Sequence, residues 1–372
     1  MPNLATETSP AAQIPAARRP PILISLLLTM VGILTALLAL EGAIRILQAV
    51  TKPAKPWNDR PAFYFRPKTS SSLQGNTYQA VKPANTFRIA VVGDSVSFGS
   101  HIQFDDTFSS RLARMLNLDS APQMVEVINY GVPGYSTINE VEVTKQALNE
   151  QANLVVLQIT LNDPEIEQLN VAHEKNLQRF GAFRPEGWKK TLFGYSRALG
   201  WIAERIHNRG TRDAYRDYFF DLYDQPASRD AFIASLRVIA ETTQQKKIPL
   251  IAVVFPLFGF PIDDHYPFSP IHARINEWLN TLQIAHLDLS SAFQDIPSDR
   301  LQVMPGRDMH PNEIAHRIAA ESIYRFLFTQ KLLPTELFAQ YLYACRNALH
   351  GPSFKGRFPS RRARAAVNEC VQ

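Results

Sequence analysis

The chain has 372 residues, of which 20% are charged and 45% hydrophobic, ordinary for a globular protein that also carries an apolar segment. Its formal charge of +5 comes without any basic-aromatic nucleic-acid motif, which sets nucleic acid aside as a partner. Much of the excess sits in the tail at Lys355, Arg357, Arg361, Arg362 and Arg364. That tail suits phosphate, anionic lipid or acidic polysaccharide, and equally a solvated terminus.

Residues 1–21 are rich in Pro, Ala, Ser and Thr and read as a disordered tail. Arg18-Arg19-Pro20-Pro21 then leads into Ile22–Leu40, a run without a single charge. About 20 such residues cross the hydrocarbon core as a helix. The run is longer than a signal peptide's apolar region and lacks a clear small-x-small cleavage site. Residues 22–44 are therefore expected to be a single-pass transmembrane helix of the signal-anchor kind. Arg18 and Arg19 precede it, whereas Arg45, Lys52, Lys55 and Arg60 follow. A plain count of basic residues keeps the C-terminal bulk inside, yet long domains often translocate regardless. Sidedness stays open on charge alone.

Residues 45–85 contain five prolines and the Ser70-Ser71-Ser72 run and read as a stalk, with one extended piece at Phe63-Tyr64-Phe65. From Thr86 the texture changes. Phe87–Val92 is a short β-branched run ending in Gly93, as expected of a buried parallel strand. Asp106-Thr107 precedes a helical stripe of Phe108, Leu112, Met115 and Leu116. Val125–Ile128 reads as a second strand. Thr137-Ile138-Asn139-Glu140 has capping-box spacing and opens a helix. Leu154–Thr160 is a third strand. The stretch from Asn170 to Gln225 is too long for a connection and reads as a helical insertion that lines a cleft. Phe232, Leu236, Ile239 and Ala240 mark a helix, Pro249–Phe255 a fourth strand, and Ile271, Ile275, Trp278 and Leu279 another helix. Ala285–Leu289 is a short fifth strand, and Ala315, Ala319, Ile323 and Phe326 mark the last helix. Strands alternating with helices predict a parallel sheet covered on both faces, a three-layer α/β/α domain over residues 86–332, followed by a basic tail at 333–372. Cys345 and Cys370 lie in that tail, free to pair or to remain thiols.

Ligands of an open α/β sheet bind outside the carboxyl ends of the strands. Four polar sequences fall at such ends or in late loops: Gly93-Asp94-Ser95, Asn129-Tyr130-Gly131, Asn162-Asp163, and Asp308-Met309-His310. A serine needs a base to become nucleophilic, and an oxyanion needs donors fixed in advance. No His/Cys/Asp group has metal-ligand spacing, and no cofactor motif is present. Asp94 suits a helix cap, Gly131 and Gly134 a turn, and Asp163 a turn behind Asn162. His316 is expected on the last helix, facing solvent or packed, and His101, His272 and His286 have no partner sequence and read as structural.

In order and spacing, the four sequences resemble the signature blocks of the SGNH, or GDSL-like, hydrolase superfamily, over roughly Thr86 to Leu332. The resemblance implies a flavodoxin-like fold with Ser95 as nucleophile, His310 as base and then acid, and Asp308 as the acid that orients it. It also implies an oxyanion hole of Ser95 N–H, Gly131 N–H and the Asn162 amide. Two departures from the family pattern stand out. Asp308 precedes His310 by two residues instead of three, which leaves a dyad or another acid such as Asp299 open. Thr160 also replaces the glycine that usually opens the asparagine block. The function implied is a serine esterase working through an acyl-serine, on an acyl ester such as an acetylated cell-envelope glycan. Two rivals are an O-acetyltransferase of surface polysaccharide and an inactive glycan-binding or scaffold subunit of the same fold. Family members with one N-terminal helix work in the cell envelope, which implies an extracytoplasmic (periplasmic or outer-face) catalytic domain.

Overall fold

The computed structural model describes residues 22–50, 78–117, 124–166, 183, 185–305 and 308–335. The proposed extended piece at Phe63-Tyr64-Phe65, both cysteines and the tail from residue 336 onward lie outside the described residues. The chain forms two compact units, one from residues 1–55 and 182–209, the other from 56–181 and 210–372.

The first unit carries α1 (Ile22–Val50), which continues beyond the expected boundary at residue 44. Its segment Ile22–Leu47 is long and apolar enough to cross a membrane, with a mean hydropathy of 2.6 over an 18-residue stretch of which no residue is buried. The unit also contains α5 (Gly187–Tyr195) and the start of α6 (Arg197–Asp224). Residues 182–209 of the expected cleft-lining insertion thus group with the N-terminal helix. The cause is specific: Glu41 accepts hydrogen bonds from Ser196 Oγ (3.1 Å) and from the N–H groups of Arg197 (3.1 Å) and Ala198 (2.8 Å), the first turn of α6. A carboxylate there satisfies donors that a helix start leaves without internal partners.

In the second unit β1 (Thr86–Val92), β2 (Met124–Asn129), β3 (Leu154–Ile159), β4 (Leu250–Val254) and β5 (Ala285–Asp288) form a wholly parallel sheet of order β2-β1-β3-β4-β5. This is the doubly wound flavodoxin order, with its switch point between β1 and β3. All six residues of β3 are buried, which explains its unbroken apolar run: helices cover both faces of the sheet. On one side α3 (Phe108–Leu116) packs with α10 (Glu313–Thr329); elsewhere α4 (Thr137–Asn149) packs with α7 (Pro226–Gln245). The remaining described helices are α2 (Ser95–Phe98), α8 (Ser269–Thr281) and α9 (Ser290–Phe293).

Local signals placed these elements to within a residue or two. Thr107 caps α3, its hydroxyl accepting from Ser110 N–H at 3.2 Å. At α4 the cap is Ser136, with Asn139 as its partner (3.2 Å to Ser136 N–H), one residue earlier than the Thr137–Glu140 spacing predicts. Glu140 is free to turn inward and is fully buried. One small feature has no counterpart in the expected plan. β6 (Gln302–Met304) and β7 (Asp308–Pro311) form an antiparallel pair just before α10. Asn312 ties this hairpin down: its Oδ1 caps α10 at Ile314 and Ala315 N–H (3.0 and 3.1 Å), and its Nδ2 donates to the Arg300 and Gln302 carbonyls.

Candidate active site

Three of the sequence blocks leave the sheet at adjacent carboxyl ends, those of β1, β2 and β3, beside the switch point. Ser95 is the first residue of α2, a single turn capped by Asp94, whose Oδ1 accepts from Val96 N–H at 2.9 Å. A residue at that position keeps its own N–H free of any intrahelical bond. The turn is held from below by Gln158 of β3, whose Oε1 accepts from the N–H groups of Asp94 (3.2 Å) and Ser97 (3.0 Å). Asn129, at the end of β2, braces it from the side, donating to the Ser97 carbonyl at 2.5 Å and to Ser109 Oγ at 3.0 Å.

The β6–β7 hairpin delivers the fourth block. Along a strand, residues two apart share a face, so Asp308 and His310 on β7 point to the same side. His310 Nδ1 lies 2.6 Å from Asp308 Oδ1, and His310 Nε2 lies 3.0 Å from Ser95 Oγ. The two-residue spacing that departs from the family pattern is what a strand requires. Asp299 sits in a 3-10 turn (Ser298–Arg300), and Asp308 holds the hydrogen bond to His310.

His101, read from sequence as structural, joins this group. Its Nδ1 lies 2.6 Å from the other Asp308 oxygen, Oδ2, and its ring meets that of His310 edge-on at 6.1 Å. Burial works to raise the Asp308 carboxyl, but hydrogen bonds from His101 and His310 outweigh it and hold the group well below the usual carboxylate range. In turn the hydrogen bond to Asp308 raises His101 above the ordinary imidazole value. The ligand-type atoms of His101, Asp308 and His310 lie within 4.8 Å of one another, a gathering that no sequence spacing announces. Their geometry is that of hydrogen bonding: both carboxylate oxygens face an imidazole nitrogen, and the far nitrogen of His310 faces a hydroxyl.

Asn162 follows β3 and donates from Nδ2 to Asp94 Oδ2 at 3.3 Å, as does the Thr160 hydroxyl at 2.8 Å. The threonine that replaces the usual glycine is therefore part of the brace on Asp94. An amide carries two hydrogens, so one remains for a ligand. Gly131 N–H donates to Asn129 Oδ1 at 2.9 Å, an Asx turn that spends this hydrogen inside the loop. Gly131 also packs so tightly on the backbone of Ser97 and Phe98 that a Cβ there would overlap both. Behind Asn162, Asp163 binds Thr137 through its side chain (3.1 Å) and caps the turn at Thr160. Burial, reinforced by the neighbouring Asp94 charge, pushes its carboxyl well above the usual range. Burial, followed by the charges of Asp163 and Asp94, does the same to Glu140.

The other histidines stand apart from this group. His316 is completely buried in α10, accepts from Phe108 N–H at 3.0 Å and stacks on the Phe108 ring at 5.8 Å. Burial pushes it down to about 3, which leaves it neutral. His272 bonds Asp288 (2.9 Å) at the end of β5, and His286 faces the Ile284 carbonyl (3.1 Å). A cavity of about 260 Å³ lined by Arg212, Arg216, Phe260, Asp263 and His265 includes none of the residues around Ser95.

The family model for GDSL-like lipase/acylhydrolase proteins matches residues 91–318, more than half of the chain, from the end of β1 into α10. The chain belongs to this family. Like it, the GDSL-like chain is an ester-hydrolysing enzyme with a parallel-sheet α/β fold. Among curated proteins none matches the sequence. Solved structures similar to this GDSL-like chain include a lipase/acylhydrolase from Enterococcus faecalis, at 14% identity over 65% of this chain and 95% of that one, with a TM-score of 0.40. Another is an acetylxylan esterase from Geobacillus stearothermophilus, at 13% identity over 64% of this chain and 93% of that one, with a TM-score of 0.38. Both are distant likenesses.

Proposed function

We propose that the enzyme hydrolyses its ester through an acyl-serine intermediate, with Ser95, His310 and Asp308 as a catalytic triad. The observation that carries this reading is the continuous contact from Ser95 Oγ to His310 Nε2 (3.0 Å) and from His310 Nδ1 to Asp308 (2.6 Å). His310 takes the hydroxyl proton as Ser95 Oγ attacks the ester carbonyl, then returns it to the leaving alcohol as the tetrahedral intermediate collapses. Water, deprotonated by the same imidazole, attacks the acyl-serine and releases the acid. Asp308 stays ionised, fixes the Nδ1–H tautomer and stabilises the imidazolium.

The oxyanion formed in both steps is met by Ser95 N–H and by the free hydrogen of the Asn162 amide. Gly131 N–H, already shared with Asn129, is the weakest of the three donors. His101 buttresses Asp308 through the carboxylate oxygen that His310 leaves free. The substrate we assign is an acyl ester of the cell envelope, foremost an acetylated glycan, met by a catalytic domain on the extracytoplasmic side of the membrane that α1 crosses. The apolar span Ile22–Leu47 and the family resemblance support this assignment.

Transfer of the acyl group to a sugar hydroxyl shares every step up to the acyl-serine. The test is turnover of p-nitrophenyl acetate with and without a sugar acceptor. Acetate release unaffected by the acceptor supports the esterase; acetylated sugar formed at the expense of free acetate supports the transferase. A folded enzyme with no turnover at all contradicts both.

A further inference from the structure

We infer that α5 is a membrane-surface helix, its Trp188–Leu192–Tyr195 stripe lying in the headgroup layer of the bilayer that α1 crosses. The inference rests on reading α1 as a membrane span.

The two faces of α5 differ. Phe193 turns inward: its ring meets Phe183 at 5.7 Å, and its backbone and Cβ fill the space beside Gly200 of α6. Trp188, Leu192 and Tyr195, spaced i, i+4 and i+7 and so on one face, turn outward and are 71%, 39% and 79% exposed. Three large apolar side chains facing water on a helix of nine residues cost free energy unless something covers them.

The position of that face relative to α1 identifies what covers it. The uncharged run that begins at Ile22 ends at Glu41, the first charge after it. At 1.5 Å per residue the run spans about 30 Å, the thickness of the hydrocarbon core. Glu41 and Arg45 therefore stand where hydrocarbon gives way to headgroups. Both are bonded to the α5–α6 junction. Arg45 Nη2 donates to the Tyr195 carbonyl at 3.0 Å, and Glu41 takes the Ser196, Arg197 and Ala198 donors. The end of α5 is thereby fixed at the same depth.

The composition of the segment matches that layer. Tryptophan and tyrosine concentrate at the membrane–water boundary, and lysine reaches lipid phosphates while its stem stays in apolar surroundings. Lys189 is exposed beside the stripe. On the next helix Arg205 lies over the Trp201 ring at 4.4 Å, again an aromatic–cation pair. A helix with an apolar aromatic face and basic flanks lies in the interface plane.

The experiment uses the full chain with Cys345→Ser and Cys370→Ser, reconstituted in vesicles of phosphatidylcholine and phosphatidylglycerol. One cysteine at a time carries a polarity-sensitive fluorophore: Leu192→Cys on the stripe, Leu34→Cys within the span, or Glu241→Cys on exposed α7. Lipids bearing a nitroxide near the headgroup or at mid-chain are the quenchers. The expected result is severalfold stronger quenching at Leu192→Cys than at Glu241→Cys, greatest with the headgroup nitroxide, and mid-chain quenching at Leu34→Cys. Quenching at Leu34→Cys with none at Leu192→Cys overturns the surface helix and leaves the span. Absence of quenching at both sites overturns both readings. A blue-shifted but unquenched Leu192→Cys probe means that protein, such as a second copy, covers the stripe, and also overturns the inference.

Discussion

Asp308 and His310 stand two residues apart on one short strand, and the strand's alternation brings carboxylate and imidazole together at 2.6 Å. The proposed triad thus has its acid and base on a single rigid element, with Ser95 contributed by another. If Asp308 sets the tautomer of His310, Asp308→Asn leaves the fold intact and lowers kcat by roughly 10²- to 10⁴-fold. Steady-state kinetics beside circular dichroism checks this. A variant with wild-type kcat would leave Ser95 and His310 as a dyad.

His101 shares the Asp308 charge with His310. Removing it in His101→Ala takes away one of the hydrogen bonds that hold the Asp308 carboxyl low and in place. The expected loss in kcat is about fivefold, the worth of one hydrogen bond of about 1 kcal/mol. His101→Gln keeps a donor near Asp308 and is expected to recover most of that loss. Equal kcat in all three proteins would remove His101 from the mechanism.

Asn162 and Asp94 separate donor from support. Asn162→Ala removes the amide proposed as an oxyanion donor, for an expected loss of about 10²- to 10³-fold in kcat with KM little changed. Asp94→Ala removes the carboxylate that holds the amide, Thr160 and the Val96 N–H. It is expected to lower kcat less and to lower stability by about 1 kcal/mol through the lost cap. Equal kinetic losses would mean that Asp94 does more than position.

His316 predicts a stability effect distant from the chemistry. Its folded value, pushed down to about 3 by burial, lies below the ordinary imidazole value near 6.5. As pH falls below about 6.5 the unfolded chain gains a proton that the folded chain refuses. The stability is therefore present above that pH and is lost as pH falls from there toward 3. Glu140 and Asp163, raised by burial, act with the opposite slope, so the measurement is a comparison. His316→Gln is expected to show a shallower loss of denaturation midpoint than the wild type between neutral pH and pH ~5. Parallel curves would contradict the assignment.

Much of this was legible in the sequence because the signals are local. Apolar runs such as Leu154–Ile159 mark buried parallel strands, and Thr107 marks a helix start whichever way the chain later turns. Ser95, Asn129-Tyr130-Gly131 and Asn162 were legible for the same reason: each follows its strand directly. The parts missed depend on contacts distant in sequence. Nothing near His101 points to Asp308, which reaches it through a hairpin some 200 residues later. Glu41 gives no hint that it will cap a helix at Arg197. The sequence leaves His316 facing either solvent or the core, because the stripe of Ala315, Ala319, Ile323 and Phe326 does not include it; the structure buries it completely beside Ala315, Ala319 and Ala320. Gln158 did carry a signal, a lone amide inside an apolar strand, which is costly unless it has partners. Its partners proved to be the Asp94 and Ser97 N–H groups, which shape the turn that carries Ser95.

The central claim is that His310 activates Ser95 for covalent catalysis. Treating the full-length enzyme with a fluorophosphonate and mapping the modified peptide by mass spectrometry tests it most directly. The account predicts one adduct, on Ser95, that is absent in Ser95→Ala and forms orders of magnitude more slowly in His310→Ala. Folded wild-type protein that forms no adduct, or Ser95→Ala that labels as fast as wild type, would contradict it.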